Sequence, residues 1–298
     1  MTELVSVGAA TAAKGFTRAQ NKWMRQPSKG IEPYNAASMD AQVLISAKWI
    51  APIAALVTVR LDRGAVLTVL LGLMTLPCVG RAQGTWSGSI GGTSNYVYRG
   101  ISQTYNGAAL QLGGSYQSPL GWFAGAWGSN VNPYPGGASF EELDFYGGLI
   151  RSVGSDFAVK GTYTHYLYVQ DPRPARYDYD EIAVSVAYLD VVAATVSYQP
   201  NYTSYSELGF AYRRPATAYE LTGRWPLRFG FAATAGAGYY DLHHLFGVGY
   251  WAGDVGLAYV YRRLTLGVSR FFADTTAATL YEDASANGNW AVSATWRF

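Results

Sequence analysis

Three histidines, His165, His243 and His244, and a single cysteine, Cys78, are the chain's whole supply of imidazole and thiol. A lipid-hydrolysing or acyl-transfer site needs a nucleophile, a base and a group that orients the base. His165 stands in Thr162-Tyr163-Thr164-His165-Tyr166 with no serine at a nearby alternating position. His243 and His244 follow Asp241, a grouping that binds a metal or nothing. No catalytic residue, metal site or cofactor is therefore expected. The richer set is ionic. Glu142, Asp144, Glu181, Glu220 and Asp254, with Lys160, Arg224 and Arg297, each alternate with apolar neighbours. In extended chain that spacing puts them on the face opposite the apolar one. Five acids against three bases would give a pore they line a weak preference for cations. The same groups would close the pore if they paired across it.

The elements that position them show most clearly at the C-terminus. Trp290, Val292, Ala294, Trp296 and Phe298 fall on one face of a strand, and Ala291, Ser293, Thr295 and Arg297 on the other. A chain that ends in Phe after an alternating aromatic strand resembles the closing strand of bacterial outer-membrane barrels. On that likeness Trp290, Trp296 and Phe298 are an assembly signal read by the barrel-assembly machinery. Upstream, glycine, proline, asparagine and aspartate punctuate further alternating segments. The full set covers 85–98, 107–117, 121–131, 140–150, 156–168, 178–189, 191–202, 216–226, 229–240, 248–261, 264–272 and 289–298. Most reach the roughly 10 residues a tilted strand needs to cross hydrocarbon. Long and short connections alternate, the longest being 203–215 and 273–288. A soluble sandwich has no reason to sort its loops so. The expected fold is all-β: a transmembrane antiparallel up-and-down barrel of about 12 strands, with short periplasmic turns and longer extracellular loops. Tyr and Trp near strand ends, among them Trp86, Tyr116, Trp122, Trp127, Tyr188, Tyr198, Trp225, Trp251 and Tyr261, are candidates for interfacial girdles.

Composition agrees. Charged residues are 14% and aromatics 15%, a balance that would leave a soluble domain with a sticky surface. The formal charge of +2 hides a split. Residues 1–83 carry nine Lys/Arg against four Asp/Glu, and 84–298 carry thirteen against sixteen, so the body is acidic by three. No basic patch interleaved with aromatics points to nucleic acid. Arg60, Asp62 and Arg63 precede an apolar run over 64–80, with small residues at Gly80 and Ala82 before Gln83. That is the order of a secretory signal. The expected organisation is an anomalous extension over 1–55, a signal peptide over 56–82 and a barrel over 83–298. A translation start near Val57 or Val59 would explain the extension.

One likeness is more specific. Ser94-Asn95-Tyr96-Val97-Tyr98-Arg99-Gly100-Ile101-Ser102-Gln103, then 121–131, then Glu142-Leu143-Asp144, resembles the TorF porin family, and Gly236-Ala237-Gly238-Tyr239-Tyr240-Asp241 is similar to its later strand. The likeness runs over about 84–298 and implies passive transport across the cell outer membrane. It is strongest at Arg99, Gly100, Ile101 and Ser102, which the strand pattern assigns to an outer loop. The expected function is passive diffusion of small hydrophilic solutes or ions through a narrow, mildly acidic lumen. The expected partners are outer-membrane lipid, the assembly machinery and small solutes. A plugged structural or partner-binding barrel is the alternative reading, and a lipid-modifying barrel enzyme a lesser one.

Overall fold

The structure is a computed structural model that describes residues 84–132, 140–169, 177–205, 211–281, 286 and 288–298. The expected extension and signal peptide lie outside the described residues. Twelve antiparallel strands close into a barrel. They are β1 (Thr85–Thr93), β4 (Ala109–Gln117), β5 (Trp122–Val131), β6 (Phe140–Val153), β7 (Phe157–Val169), β8 (Tyr179–Tyr188), β9 (Val192–Tyr205), β10 (Ala211–Pro226), β11 (Phe231–Leu242), β12 (Val248–Tyr261), β13 (Leu264–Ala273) and β14 (Trp290–Arg297). Each pairs with its chain neighbour, and β1 also pairs with β14. Closure leaves no unpaired edge. Two short strands, β2 (Val97–Tyr98) and β3 (Ile101–Ser102), pair only with each other.

The alternation written in the sequence becomes two surfaces. Outward positions form an exposed apolar band that includes Leu112, Ile182, Val184, Val186, Leu221, Val255, Leu257 and Val292. Aromatic clusters border it: Trp86, Tyr116 and Trp122 pack with tilted rings at the short-turn end, with centroids 4.9 and 5.0 Å apart, and Tyr239 meets Trp251 at 5.2 Å toward the other end. Inward positions carry the ionic set. The seam closes where Gly88 and Phe298 exchange backbone hydrogen bonds of 2.8 and 2.9 Å. A side chain on Gly88 would strike the Phe298 ring, so the terminal aromatic is seated against a residue that leaves it room.

Three sequence expectations are corrected. The first strand ends at Thr93 rather than at 98, because the chain then turns into the barrel. The stretch 203–215 is mostly strand: β9 runs to Tyr205 and pairs with β10 from Ala211. Its proline, Pro215, looks like a strand boundary in sequence, but Pro200 and Asn201 of β9 lie opposite it where the register shifts. A bulge tolerates the missing N–H there. Trp127 is not in a girdle. It is buried on the lumen side with its ring 5.5 Å from Tyr96. Both faces of β5 carry aromatics, so alternation alone did not say which is wet.

Candidate functional site

The connection from β1 to β4 does not project from the barrel. It folds inward and carries the β2–β3 hairpin into the half of the lumen nearest the long connections. The sequence dictates the fold locally. The two-residue turn Arg99-Gly100 has φ of 51° and 79°, and positive φ at both central positions is what the favoured hairpin turn requires. Glycine suits that conformation. It is also needed for room, since a Cβ on Gly100 would lie 2.5 Å from that of Ala252. Arginine at the first position is unusual and costs about 1–2 kcal/mol of backbone strain. Something else must hold it there.

Below the turn the loop ties itself into a polar knot. Asn95 Oδ1 accepts from Ser102 Oγ at 2.7 Å, and Asn95 Nδ2 donates to Asn106 Oδ1 at 2.8 Å. Ser102 Oγ accepts from the Asn106 amide at 2.8 Å, and Thr104 Oγ1 accepts from that of Tyr96 at 3.1 Å. Asn95, Ser102 and Thr104 are all buried, so the Ser102–Asn95 and Tyr96–Thr104 bonds are made away from water, where an unmade one is costly. The hairpin's apolar side meets a wall of small residues. Ile101 packs with Ala216, Ala218 and Ala252, and Val97 with Phe271 and Ala291. Helix α2 (Thr275–Tyr281) covers the same cluster through Ala277, with Tyr281 edge-on to Tyr250 at 5.8 Å.

Arg99 explains the strain. From the turn its Nη2 donates to Glu181 on β8 at 2.7 Å and to Glu220 on β10 at 3.5 Å. Its guanidinium lies 4.7 Å from the Tyr98 ring centroid and 5.4 Å from that of Tyr240. Tyr250 donates to its backbone carbonyl at 3.1 Å. The carboxylates have supports of their own: Gln199 Nε2 and Tyr166 (3.3 Å) donate to Glu181, and Tyr240 (3.0 Å) to Glu220. Burial opposes the arginine's charge, but Glu181, Tyr98 and Glu220 outweigh it and hold the proton more tightly than on an ordinary arginine.

The other expected lumen residues divide by height. Glu142, fully buried, and Asp144 stand near the long-connection end of β6, where Tyr168 donates to Glu142 at 3.2 Å. Asp254 is midway along β12, with Glu220 beside a cavity of about 30 Å³ that Arg99, Thr222 and Tyr240 also line. That space admits water and no sugar-sized solute. Lys160, Arg224 and Arg297 all lie toward the short-turn end. Lys160 sits 4.7 Å from the centre of the Phe123 ring, and Arg297 donates to Thr265 at 3.4 Å. Arg99 therefore joins the inward ionic set from a loop. Alternation along strands had no means of placing it there, and the only sequence signal was its motif.

The outward face carries a polar network around Asp180. Asp180 accepts from Tyr163 at 2.6 Å and from Asn201 at 2.7 Å, and lies 2.9 Å from His165 Nδ1. Among the described residues the His165 ring bonds to no serine or cysteine. His243 Nδ1 lies 2.7 Å from Asp241 at the exposed start of helix α1 (His243–Phe246). No group of three His, Cys, Asp or Glu able to hold a metal occurs among the described residues.

A family model described as "Bacterial protein of unknown function (Gcw_chp)" matches residues 80–298. No curated protein matches the chain. Among solved structures it is similar to the KdgM porin, at 9% identity and TM-score 0.46 over 71% of this chain and 99% of that one. It is similar to the NanC porin at 9% and 0.44, over 71% and 98%. A further likeness is to Salmonella typhi OmpF in complex with daunomycin at 10% and 0.39, over 73% and 98%.

Proposed function

The chain belongs to the Gcw_chp family of bacterial proteins of unknown function, and we propose that it is an outer-membrane channel for passive diffusion of small hydrophilic solutes or ions, narrowed by its inward hairpin. The observation that carries this reading is the pairing of an apolar outer band with an ionic interior. A soluble barrel of this size would keep its apolar residues inside; this one exposes Leu112, Ile182, Val184 and Leu257 and buries Glu142, Asp144, Glu181 and Asp254. In lipid a closed barrel satisfies every backbone group, and the outward band has its solvent. The long connections then face the cell exterior and the short turns the periplasm. The TorF likeness points the same way. Export by the signal at 56–82, and insertion by an assembly machinery that reads Trp290, Trp296 and Phe298, complete the proposal.

Solute choice follows from the interior. Five carboxylates (Glu142, Asp144, Glu181, Glu220, Asp254) stand against Arg99, Lys160, Arg224 and Arg297, which leaves a net inward charge of minus one and a slight preference for cations. The expected result is small, steady conductance steps from the purified chain in planar bilayers, with a cation preference that falls in Glu142→Gln and Asp144→Asn. The second reading, a plugged barrel with structural or binding work, is favoured by the depth of the hairpin's burial. A folded barrel that stays electrically silent even when Arg99 is replaced overturns the channel reading and leaves this one. A lipid-modifying role would need a nucleophile beside His165.

A further inference from the structure

The carboxylates that grip Arg99 are held by other residues, and that makes them a site in their own right. Gln199 and Tyr166 donate to Glu181, and Tyr240 to Glu220, and all three donors belong to the barrel wall rather than to the hairpin. Tyr240 offers a ring face as well. A cavity adjoins Glu220 and Tyr240, and Asp254 also lines it. Paired carboxylates with an aromatic face are chemistry for a planar cation. Arg99 occupies the place imperfectly. One nitrogen, Nη2, makes both carboxylate contacts, Nε is buried with no hydrogen-bond partner, and the residue's backbone is strained to reach.

We infer that Glu181 and Glu220, with Tyr240, form a guanidinium-binding site in the lumen that Arg99 fills as a tethered stand-in, and that a guanidinium-bearing solute competes for it and undocks the hairpin. The mechanism of opening rests on the channel reading; the binding site does not. A solute's guanidinium is not bound by the turn's geometry, so it can present two nitrogens to the two carboxylates. Undocking also relieves the left-handed strain at Arg99. Against this stands the tether, which gives Arg99 an effective concentration in the millimolar range. Competition therefore needs millimolar solute. The wall survives the exchange, because β2 and β3 contribute no hydrogen bonds to the closed sheet.

The test is titration calorimetry of the detergent-solubilised chain with arginine, paired with currents in planar bilayers. Arg99→Gln is expected to bind arginine at least about tenfold more tightly than the wild type, since the tethered competitor is gone. Adding Glu181→Gln and Glu220→Gln is expected to abolish that binding. Lysine, which lacks the planar fork, should bind about tenfold more weakly than arginine. If Arg99→Gln fails to fold, Arg99→Lys retains the charge without the fork and should likewise expose the site. In bilayers arginine should raise the wild-type current and interrupt that of Arg99→Gln. Equal affinity in wild type and both Arg99 variants, or lysine binding as well as arginine, overturns the site. Arginine binding as expected with silence in every bilayer arm overturns the channel reading and the opening while the site stands. Currents with no arginine binding overturn the site while the channel stands.

Discussion

Toward the long connections the lumen is filled by groups that hold one another: the Asn95-Ser102-Thr104 knot, Arg99 between Glu181 and Glu220, and the tyrosines around them. Toward the short turns many inward positions are small or hydroxylic, among them Ala193, Thr195, Gly256, Ala258, Thr265 and Gly267, with cations in place of carboxylates and Phe123 beside Lys160. Wall strands build both halves and differ in the sign of their charge; the loop fills only one of them. Twelve strands enclose a space between a side-chain-filled barrel and an open channel. Here the choice between the two is delegated to the hairpin. On the channel reading, resistance to passage is concentrated at one end and is removable without breaking a pair of wall strands.

The sharpest way to break that contrast is to replace both acids, Glu181→Gln with Glu220→Gln. Removing the partners of a buried charge costs about 3–5 kcal/mol, so Arg99 should leave its place while the barrel remains closed. Trypsin reads this directly. The Arg99–Gly100 bond, protected in the wild type, should be cleaved at least about 100-fold faster in the double variant, by the same cost. Folding is checked by an unchanged heat-dependent shift in gel mobility. Unaltered protection would mean that the knot, and not the ion pairs, holds the plug. Gly100→Ala comes next. Its Cβ would meet Ala252 at 2.5 Å in a left-handed turn, and about 1–2 kcal/mol of strain predicts roughly tenfold faster cleavage at Arg99.

Sequence reasoning reached the wall and missed the plug for one physical reason. Strand residues obey a period of two, so Glu142, Asp144, Glu181, Glu220 and Asp254 could be turned inward from their neighbours alone. The inward path of the hairpin obeys no period. It is set by Asn95 and Ser102 bonding within the loop and by Ala216, Ala218 and Ala252 leaving space on strands more than a hundred residues away. Those alanines are legible only in hindsight, as a patch of the inner face too small to fill its own volume. Pro215 misled for a related reason: proline breaks a ladder wherever it stands, at a strand's end or at a bulge within it.

Ser102→Ala probes the knot itself. The hydroxyl donates to the buried Asn95 and accepts from the Asn106 amide, so its loss leaves one buried acceptor a bond short and frees the Asn106 amide, at about 1–3 kcal/mol. With Arg99 still gripped, part of that cost falls on loop order alone. Cleavage at Arg99 should rise only a few-fold, and exchange of the Asn106 amide, followed by hydrogen–deuterium mass spectrometry, should rise more.

The smallest effect belongs to the other half and completes the contrast. Lys160→Gln, Arg224→Gln and Arg297→Gln remove charge from inward positions that do not touch the hairpin turn, so trypsin protection at Arg99 should stay as in the wild type. Conduction should change in kind rather than in amount. Fewer cations near the short turns leave the carboxylates of the upper lumen less opposed, and reversal potentials under a salt gradient should move toward cation preference with each substitution. A shift toward anions would mean that the upper carboxylates are neutralised and that the lower cations, by binding anions too tightly to release them, had been limiting anion passage. A change in Arg99 protection instead would show that the two halves are mechanically coupled through the wall, and the plug would no longer be separable from the barrel that holds it.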